Sequence, residues 1–409
     1  MPWKELTPMQ QRSQFIKDLE TGLYTMSELC RAYQVSRKTG YKWAKRYVEG
    51  GEAGLADRSR RPHSCLHSTS EAAAQALVEA RRQHPTWGSR KLLAWLAHRQ
   101  PELRLPAAST ATDILKRHGL VESRRRRRRS QRGPVEPPRV DMTAPNTVWT
   151  MDFKGEFKTR DGVYCYPLTV VDGFSRYLLG CHGQSSTSGL EARPILDRWM
   201  RQYGLPQAIL TDNGAPFATH ALCGLSRLSV WWIKLGIQIF HIQAGHPEQN
   251  GRHERLHRTL KAETTRPPAM NRRGQQIKFT RFRRYYNEHR PHEALGQRPP
   301  AQLYQSSPRP YPRREPKVEY PAHFEVRRIS PKGALRWRKS SIFVSEVLQT
   351  EPVGLEEIED GVWDVYFCDQ LLGRFDERED RIHPMGPKVC RKPLDSEVLS
   401  RKTLPICLA

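Results

Sequence analysis

The chain runs to 409 residues, more than one ordinary domain holds, so two to four domains are expected. Its 68 Lys and Arg outnumber 43 Asp and Glu, and the net charge of +25 points to a polyanionic partner. No apolar run reaches the roughly 20 residues of a membrane span, the polar start MPWKELTPMQQRSQ does not read as a signal peptide, and eight scattered cysteines without a C-x-x-C pair argue against a zinc ribbon or disulfide framework and suit a reducing cytoplasm.

Residues 1–65 read as short capped helices. Thr7-Pro8 opens the first and Gly22 stops it. Thr25 and Glu28 form a capping box for the second, and after a turn at Gln34-Val35, Ser36 caps the segment RKTGYKWAKRY. Two capped helices around a tight turn are the layout of a helix-turn-helix. The last helix would present Arg37, Lys38 and Lys42 to DNA, while Tyr41 and Trp43 pack or lie over the backbone; a small basic bundle with a solvated face is the alternative. Gly40 costs that helix about 1 kcal/mol. Residues 66–122 repeat the theme with SEAAAQALVEARRQHP, TWGSRKLLAWLAHR and a Ser/Thr-capped STATDILKRHGL, and read as a second helix-turn-helix domain. Residues 123–144 hold six consecutive arginines, Arg124, Arg125, Arg126, Arg127, Arg128 and Arg129, followed by Pro134, Pro137 and Pro138. Such a run repels itself and cannot fold alone, so it reads as an extended linker laid along phosphates.

From Trp149 the pattern changes. TVWTMDFKGEF, VYCYPLTVVD and SRYLLGCHG read as three antiparallel strands with turns at Asp161-Gly162 and Asp172-Gly173. A helix over 188–203, a strand QAILTD, a helix LSRLSVWWIKLG and a strand IQIFHI follow. That order predicts, for 145–305, an α/β core of ribonuclease-H type with a mixed five-stranded sheet. Residues 306–377 read as a small all-β, barrel-like domain and 378–409 as a polar tail. The chain is thus multidomain: all-α helix-turn-helix domains, an α/β core and a small all-β domain.

Three acids stand at structural junctions. Asp152 lies inside the first strand, Asp212 ends the strand AILTD before Asn213-Gly214, and Glu254 opens a helix after Asn250-Gly251. Three converging carboxylates repel strongly unless a cation joins them. All-oxygen ligation selects Mg²⁺ or Mn²⁺, and a pair of such ions about 4 Å apart clamps the attacking and leaving oxygens of a phosphoryl displacement. Arg258 and Lys261 follow Glu254 on its face, and 252–290 holds twelve Lys and Arg against three acids. A competing pattern overlaps Glu254: His253-Glu254-Arg255-Leu256-His257 spells H-E-x-x-H. The extended zinc-protease motif would need Gly at 260 and His at 263, where Leu260 and Glu263 stand. His253 and His257 are therefore read as phosphate contacts or packed polar groups, and Asp172, ahead of Gly173, as a turn residue.

The blocks WTMDFKG, LTDNGAPF, HPEQNGRHERLHRTLKAE and YYNEHRPHEALGQRPPAQLY resemble the catalytic core of bacterial insertion-sequence transposases related to retroviral integrases, over 145–305. By this resemblance the Asp-Asp-Glu triad falls on Asp152, Asp212 and Glu254, with gaps of 59 and 41 residues, and the basic residue after the Glu falls on Lys261. The second gap is longer than usual, which suggests a larger helical insert, and the retroviral N-terminal zinc domain is absent. The resemblance implies Mg²⁺- or Mn²⁺-dependent hydrolysis at the element's ends, followed by attack of the freed 3′-hydroxyl on target DNA. It implies double-stranded DNA as partner, at least a dimer in the synaptic complex, no membrane, and a cytoplasmic, nucleoid-associated protein. A catalytically inactive or domesticated DNA-binding regulator, and a nuclease on RNA–DNA hybrids, are the alternatives.

Overall fold

The structure is a computed structural model that describes residues 7–59, 68–121, 141–219, 222–242 and 247–384. The arginine run 124–129 and its following prolines lie outside the described residues, as does the tail beyond 384. Two compact units divide the chain, Met1–Ser68 and Thr69–Ala409.

The first unit holds α1 (Pro8–Glu20), α2 (Met26–Ala32) and α3 (Arg37–Gly50). Thr7 and Thr25 make full capping boxes with Gln10 and Glu28, and the Ser36 hydroxyl accepts from the Thr39 N–H. Phe15, Ile16, Leu29, Cys30, Trp43 and Leu55 form the core. Arg37, Lys38 and Lys42 are exposed along α3. Tyr41 stands in solvent, whereas Trp43 is buried with the Arg12 guanidinium 3.9 Å from its ring centroid. Gly40 is not a helix defect: a Cβ there would stand 2.6 Å from the Cys30 sulfur and 2.8 Å from that of Met26. Gly40→Ala is therefore expected to destabilise this unit by about 1–2 kcal/mol, overpacking outweighing the gain of about 1 kcal/mol in helix propensity, as a chemical melt of residues 1–68 would show.

In the second unit α4 (Glu71–Gln83), α5 (Ser89–Arg99) and α6 (Ala108–Arg117) pack around Leu77, Trp87, Leu92, Leu96 and Leu115. The expected Ser/Thr cap of α6 is corrected: the helix opens directly behind Pro106 with Ala107 as N-cap and no side-chain cap bond, which leaves Ser109 and Thr110 inside its first turn.

The central sheet comprises β1 (Val148–Phe153), β2 (Phe157–Lys158), β3 (Tyr164–Asp172) and β4 (Leu178–Gln184), then, after α7 (Gly189–Tyr203), β5 (Ala208–Thr211), and after α8 (Arg227–Lys234), β6 (Gln238–His241). The helices α9 (Gly251–Thr264) and α10 (Arg272–Glu288) follow. The strand order is β4-β3-β1-β5-β6, antiparallel across β4-β3-β1 and parallel across β1-β5-β6. The two-residue β2, which the sequence did not announce, pairs with the start of β3. Among the described residues, the region expected to hold an enlarged helical insert contains a short turn over 222–224 and the eight residues of α8.

Helices cover both faces of this sheet. Trp149, Met151, Leu168 and Val170 pack against α7 and α8, while Cys165, Val171, Leu178 and Cys181 pack against Leu256 and Leu260 of α9 and Phe279, Phe282 and Tyr286 of α10. Side chains alternate along a strand, so Thr150, Asp152 and Lys154 all fall on the α9 side. Asp172 closes the β3–β4 turn as expected: its carboxylate accepts from the Asn146 N–H at 2.7 Å and from the Ser175 N–H and hydroxyl at 2.8 and 2.6 Å.

Two neighbours are built onto this layer. The second helical domain docks through Thr86 and Arg90, bonded to Glu263 at 2.8 Å and Glu293 at 2.7 Å, and through His84, stacked on Trp87 and on Tyr285. The other is the β domain: β7 (Glu325–Arg328), β8 (Ala334–Trp337), β9 (Ser340–Phe343), β10 (Pro352–Glu359), β11 (Val362–Phe367), β12 (Gln370–Asp376) and β13 (Arg381–Pro384). It forms an open antiparallel meander, β13-β12-β11-β10-β7, with the β8–β9 hairpin closing one shared core. Strand β13 carries the sheet to Pro384, past the boundary expected at 377. Leu225 and Val230 enter this core, and Lys234 bridges Glu315 and Glu351.

Candidate active site

Asp152 leaves β1 on the α9 face, opposite Thr169 of β3. Asp212 follows the last residue of β5, the strand paired in parallel to β1. Adjacent parallel strands therefore deliver both carboxylates to one sheet edge. The loop TDNG is fixed there: the Gly214 N–H donates to Asp212 Oδ1 at 3.2 Å, the Asp212 carbonyl lies 3.2 Å from His241 Nδ1, and the Asn213 amide donates to the Ile242 carbonyl. Asn250, N-cap of α9, makes no cap bond with its side chain and instead donates to Asp152 Oδ2 at 3.0 Å.

The histidines play a different part. His253 and His257 are buried and touch edge to face. The Thr169 hydroxyl donates to the Asp152 carbonyl at 3.0 Å, so His257 donates to it from Nε2 at 2.8 Å and turns a bare Nδ1 toward Asp152 Oδ2, 3.7 Å away. Burial lowers His253 to about 4, and burial, then His253 and Lys154, lower His257 to about 2. Both are neutral packed groups, the second of the two readings offered for them, and not phosphate contacts. Glu254 between them is exposed, while His257 Nε2 is bonded to the Thr169 hydroxyl and both imidazole rings are packed in the interior.

Asp152 is the perturbed carboxyl of the site. Burial, then the Asp212 carboxylate, push it up to about 7, against the opposing bonds from Phe153 and Asn250. A free aspartate titrates near 4. The unfolded chain therefore ionises first, and the stability present below about 4 is lost as pH rises through about 7. Without divalent cations, Asp152→Asn is expected to raise the melting temperature at pH 8, with the gain shrinking toward pH 4; a lower melting temperature at pH 8 would contradict carboxylate crowding.

At 100° per residue, Asn250, Glu254, His257 and Lys261 fall within an arc of about 60° on α9. Asn250 and His257 in that arc face Asp152, so Glu254 and Lys261 line the same flank. Glu254 has no hydrogen bond to either aspartate, and among the described residues no three His, Cys, Asp or Glu side chains converge closely enough to hold a metal ion. The structure brings Asp152 and Asp212 together and sets Glu254 on the bordering helix turn. Arg258 is exposed one turn further on. Two site residues escaped the sequence reading. Lys154 is half-buried, close enough to Lys261 and Asp152 for both charges to act on it, and burial lowers its pKa first; its position two residues after Asp152, just past the end of β1, was the available signal. Asn250 was read only as a helix opener.

The donor set suits a hard divalent cation. Every candidate ligand is a carboxylate oxygen, and the rise at Asp152 that Asp212 helps cause marks a pair short of positive charge.

Several known families and proteins are similar to this chain. The Integrase core domain family matches residues 142–247 and again 235–300, a Helix-turn-helix domain family matches 11–63, and a Homeodomain-like domain family matches 39–115. An uncharacterized 39.2 kDa protein of insertion element IS476 from Xanthomonas euvesicatoria is 28% identical over 61% of this chain and 70% of its own length. An uncharacterized 31.7 kDa protein of insertion element IS407 from Burkholderia multivorans is 32% identical over 44% of this chain and 63% of its own length. The chain thus carries an integrase core and is similar to proteins of bacterial insertion elements. A simian T-cell lymphotropic virus intasome, solved with the B56 gamma subunit of PP2A, contains a chain 17% identical to this one over 72% of its residues and 97% of that chain, at a TM-score of 0.36. No described helix is long and apolar enough to cross a membrane.

Proposed function

We propose that this chain is a transposase that cuts at the ends of its own mobile element and joins them to target DNA. The observation that carries the reading is the pair of carboxylates, Asp152 and Asp212, delivered by adjacent parallel strands to one end of the integrase core, with Asp152 raised first by its burial and then by the Asp212 charge. Asp152, Asp212 and Glu254 would hold Mg²⁺ or Mn²⁺, which when bound supplies Lewis-acid stabilisation of charge on the phosphoryl oxygens. Lys154 and Lys261 flank the carboxylates and place the scissile phosphate by charge, with Arg258 beyond them. Buried His257 and Thr169 hold the Asp152 segment in register.

In the first reaction a water oxygen bonds to phosphorus, the 3′-oxygen leaves and takes a proton. In the second, the freed 3′-hydroxyl bonds to a target phosphorus, loses its proton, and the target's 3′-oxygen leaves. One P–O bond forms for each broken, so no energy-rich cofactor is needed. Arg37, Lys38 and Lys42 would enter a groove of the end sequence, the arginines 124–129 would follow the backbone, and joining two ends calls for at least two protomers. The test is a labelled duplex carrying the DNA that flanks the reading frame, mixed with full-length chain and a plasmid. Mg²⁺ should yield nicked ends and plasmid-linked label, and chelation should remove both. Tight end binding with no cutting under Mg²⁺ or Mn²⁺ would leave a DNA-binding regulator instead.

A further inference from the structure

The flank of α9 away from the carboxylates gathers a second group of cations. Arg252 lies about 160° around the helix from Glu254. Its guanidinium donates to the Gly173 carbonyl at 3.0 Å, and the same carbonyl accepts from Arg176 at 2.8 Å. Two guanidinium groups are thus fixed against one oxygen, at a β3–β4 turn where Arg176 takes a left-handed φ of 63°. Arg255, three residues along the helix, is exposed and close enough for its charge to act on Arg176. Burial, then the neighbouring Arg252, lower Arg176 to about 10.

The acids nearby are committed elsewhere. Asp172 is saturated by Asn146 and Ser175, Glu263 pairs with Arg290 at 2.7 Å, and Glu293 with Arg90 at 2.7 Å. Among the described residues no carboxylate forms an ion pair with Arg176, Arg252 or Arg255. Asp172 acts on Arg176 by charge, but its oxygens are taken; guanidinium groups held this close without an ion-pair partner fit an anion with several acceptor oxygens, which phosphate supplies and to which Arg forks bind bidentately.

We propose that Arg176, Arg252 and Arg255 form a phosphate subsite that grips the DNA backbone on the flank of α9 opposite Asp152. This rests on the DNA-joining reading above and adds a grip on the backbone that the carboxylate flank does not contain. Acidic side chains of a second copy are the competing occupant, since the segment 317–384 carries fourteen acids against ten bases in a chain that is otherwise strongly basic. Phosphate is favoured because the chain already brings two helix-turn-helix regions for a duplex.

The experiment is a salt titration of full-length chain binding a random-sequence duplex, with Lys261→Gln as the reference. Removing one cation that neutralises a phosphate should flatten the slope of log K against log salt by about 0.9. Arg252→Gln/Arg255→Gln should flatten it by about 1.8, and Arg255→Glu alone by at least about 0.9. Arg255 is exposed and its side chain makes no hydrogen bond in the described structure, so this single variant serves even if the double variant unfolds. An unchanged slope in folded Arg255→Glu, while Lys261→Gln flattens it, overturns the subsite and leaves the DNA reading intact. An unchanged slope with a lower sedimenting mass overturns it in favour of an interface between copies. A wild-type chain without salt-dependent duplex binding would sink the DNA reading itself.

Discussion

Replacing Asp152 with Asn is expected to lower Mg²⁺-dependent cutting and joining on the order of 10³-fold or more, while affinity for end DNA stays within about threefold. The substitution keeps shape and burial. It keeps the Asn250 bond through the retained oxygen and removes one negative charge from the pair with Asp212. Binding is carried by cations elsewhere, so losing a carboxylate cannot weaken it much. Gel-shift and cleavage assays on the same preparation separate the two effects. Parallel loss of binding and cutting would assign Asp152 a structural part instead.

A second large effect is expected from Leu260→Ala. Leu260 is fully buried between α9 and the sheet, with Leu256, Phe279 and Val171 around it. Emptying that position should cost about 2–5 kcal/mol in a denaturant melt of the full-length chain. The same helix carries Glu254 and Lys261, so cutting should fall further than the folded fraction does. Normal specific activity per folded molecule would show that α9 tolerates a shift at this position and that the flank is not positioned by its packing.

The layout of this molecule was largely legible because local signals agreed with one another. The caps Thr7, Thr25 and Ser36 marked helices that tertiary packing did not override. The change from 3.6-residue to two-residue periodicity near Trp149 marked the sheet, and the blocks around Asp152 and Asp212 lie where adjacent parallel strands end. The misreadings have physical causes. Gly40 looked like a helix defect because its neighbours, Cys30 and Met26, come from another helix. His253 and His257 were left open between phosphate contacts and packed polar groups because a motif states spacing but not which face is buried. Lys154, Asn250 and the Arg176–Arg252 pair depend on which elements meet, and nothing in a linear reading places the β3–β4 turn against α9. Glu254 came from pattern and resemblance, and its role rests on the helix face it shares with Asn250 and His257.

That residue makes the decisive test. Labelled end duplex, supercoiled plasmid and Mg²⁺ are incubated with wild-type chain, Glu254→Gln, and His253→Gln/His257→Gln, each matched for folded fraction and end binding. The account predicts plasmid-linked label with wild type, none with Glu254→Gln, and retained joining in whatever fraction of the histidine variant folds. Joining by Glu254→Gln at the wild-type rate would remove Glu254 from the site and contradict the three-carboxylate centre.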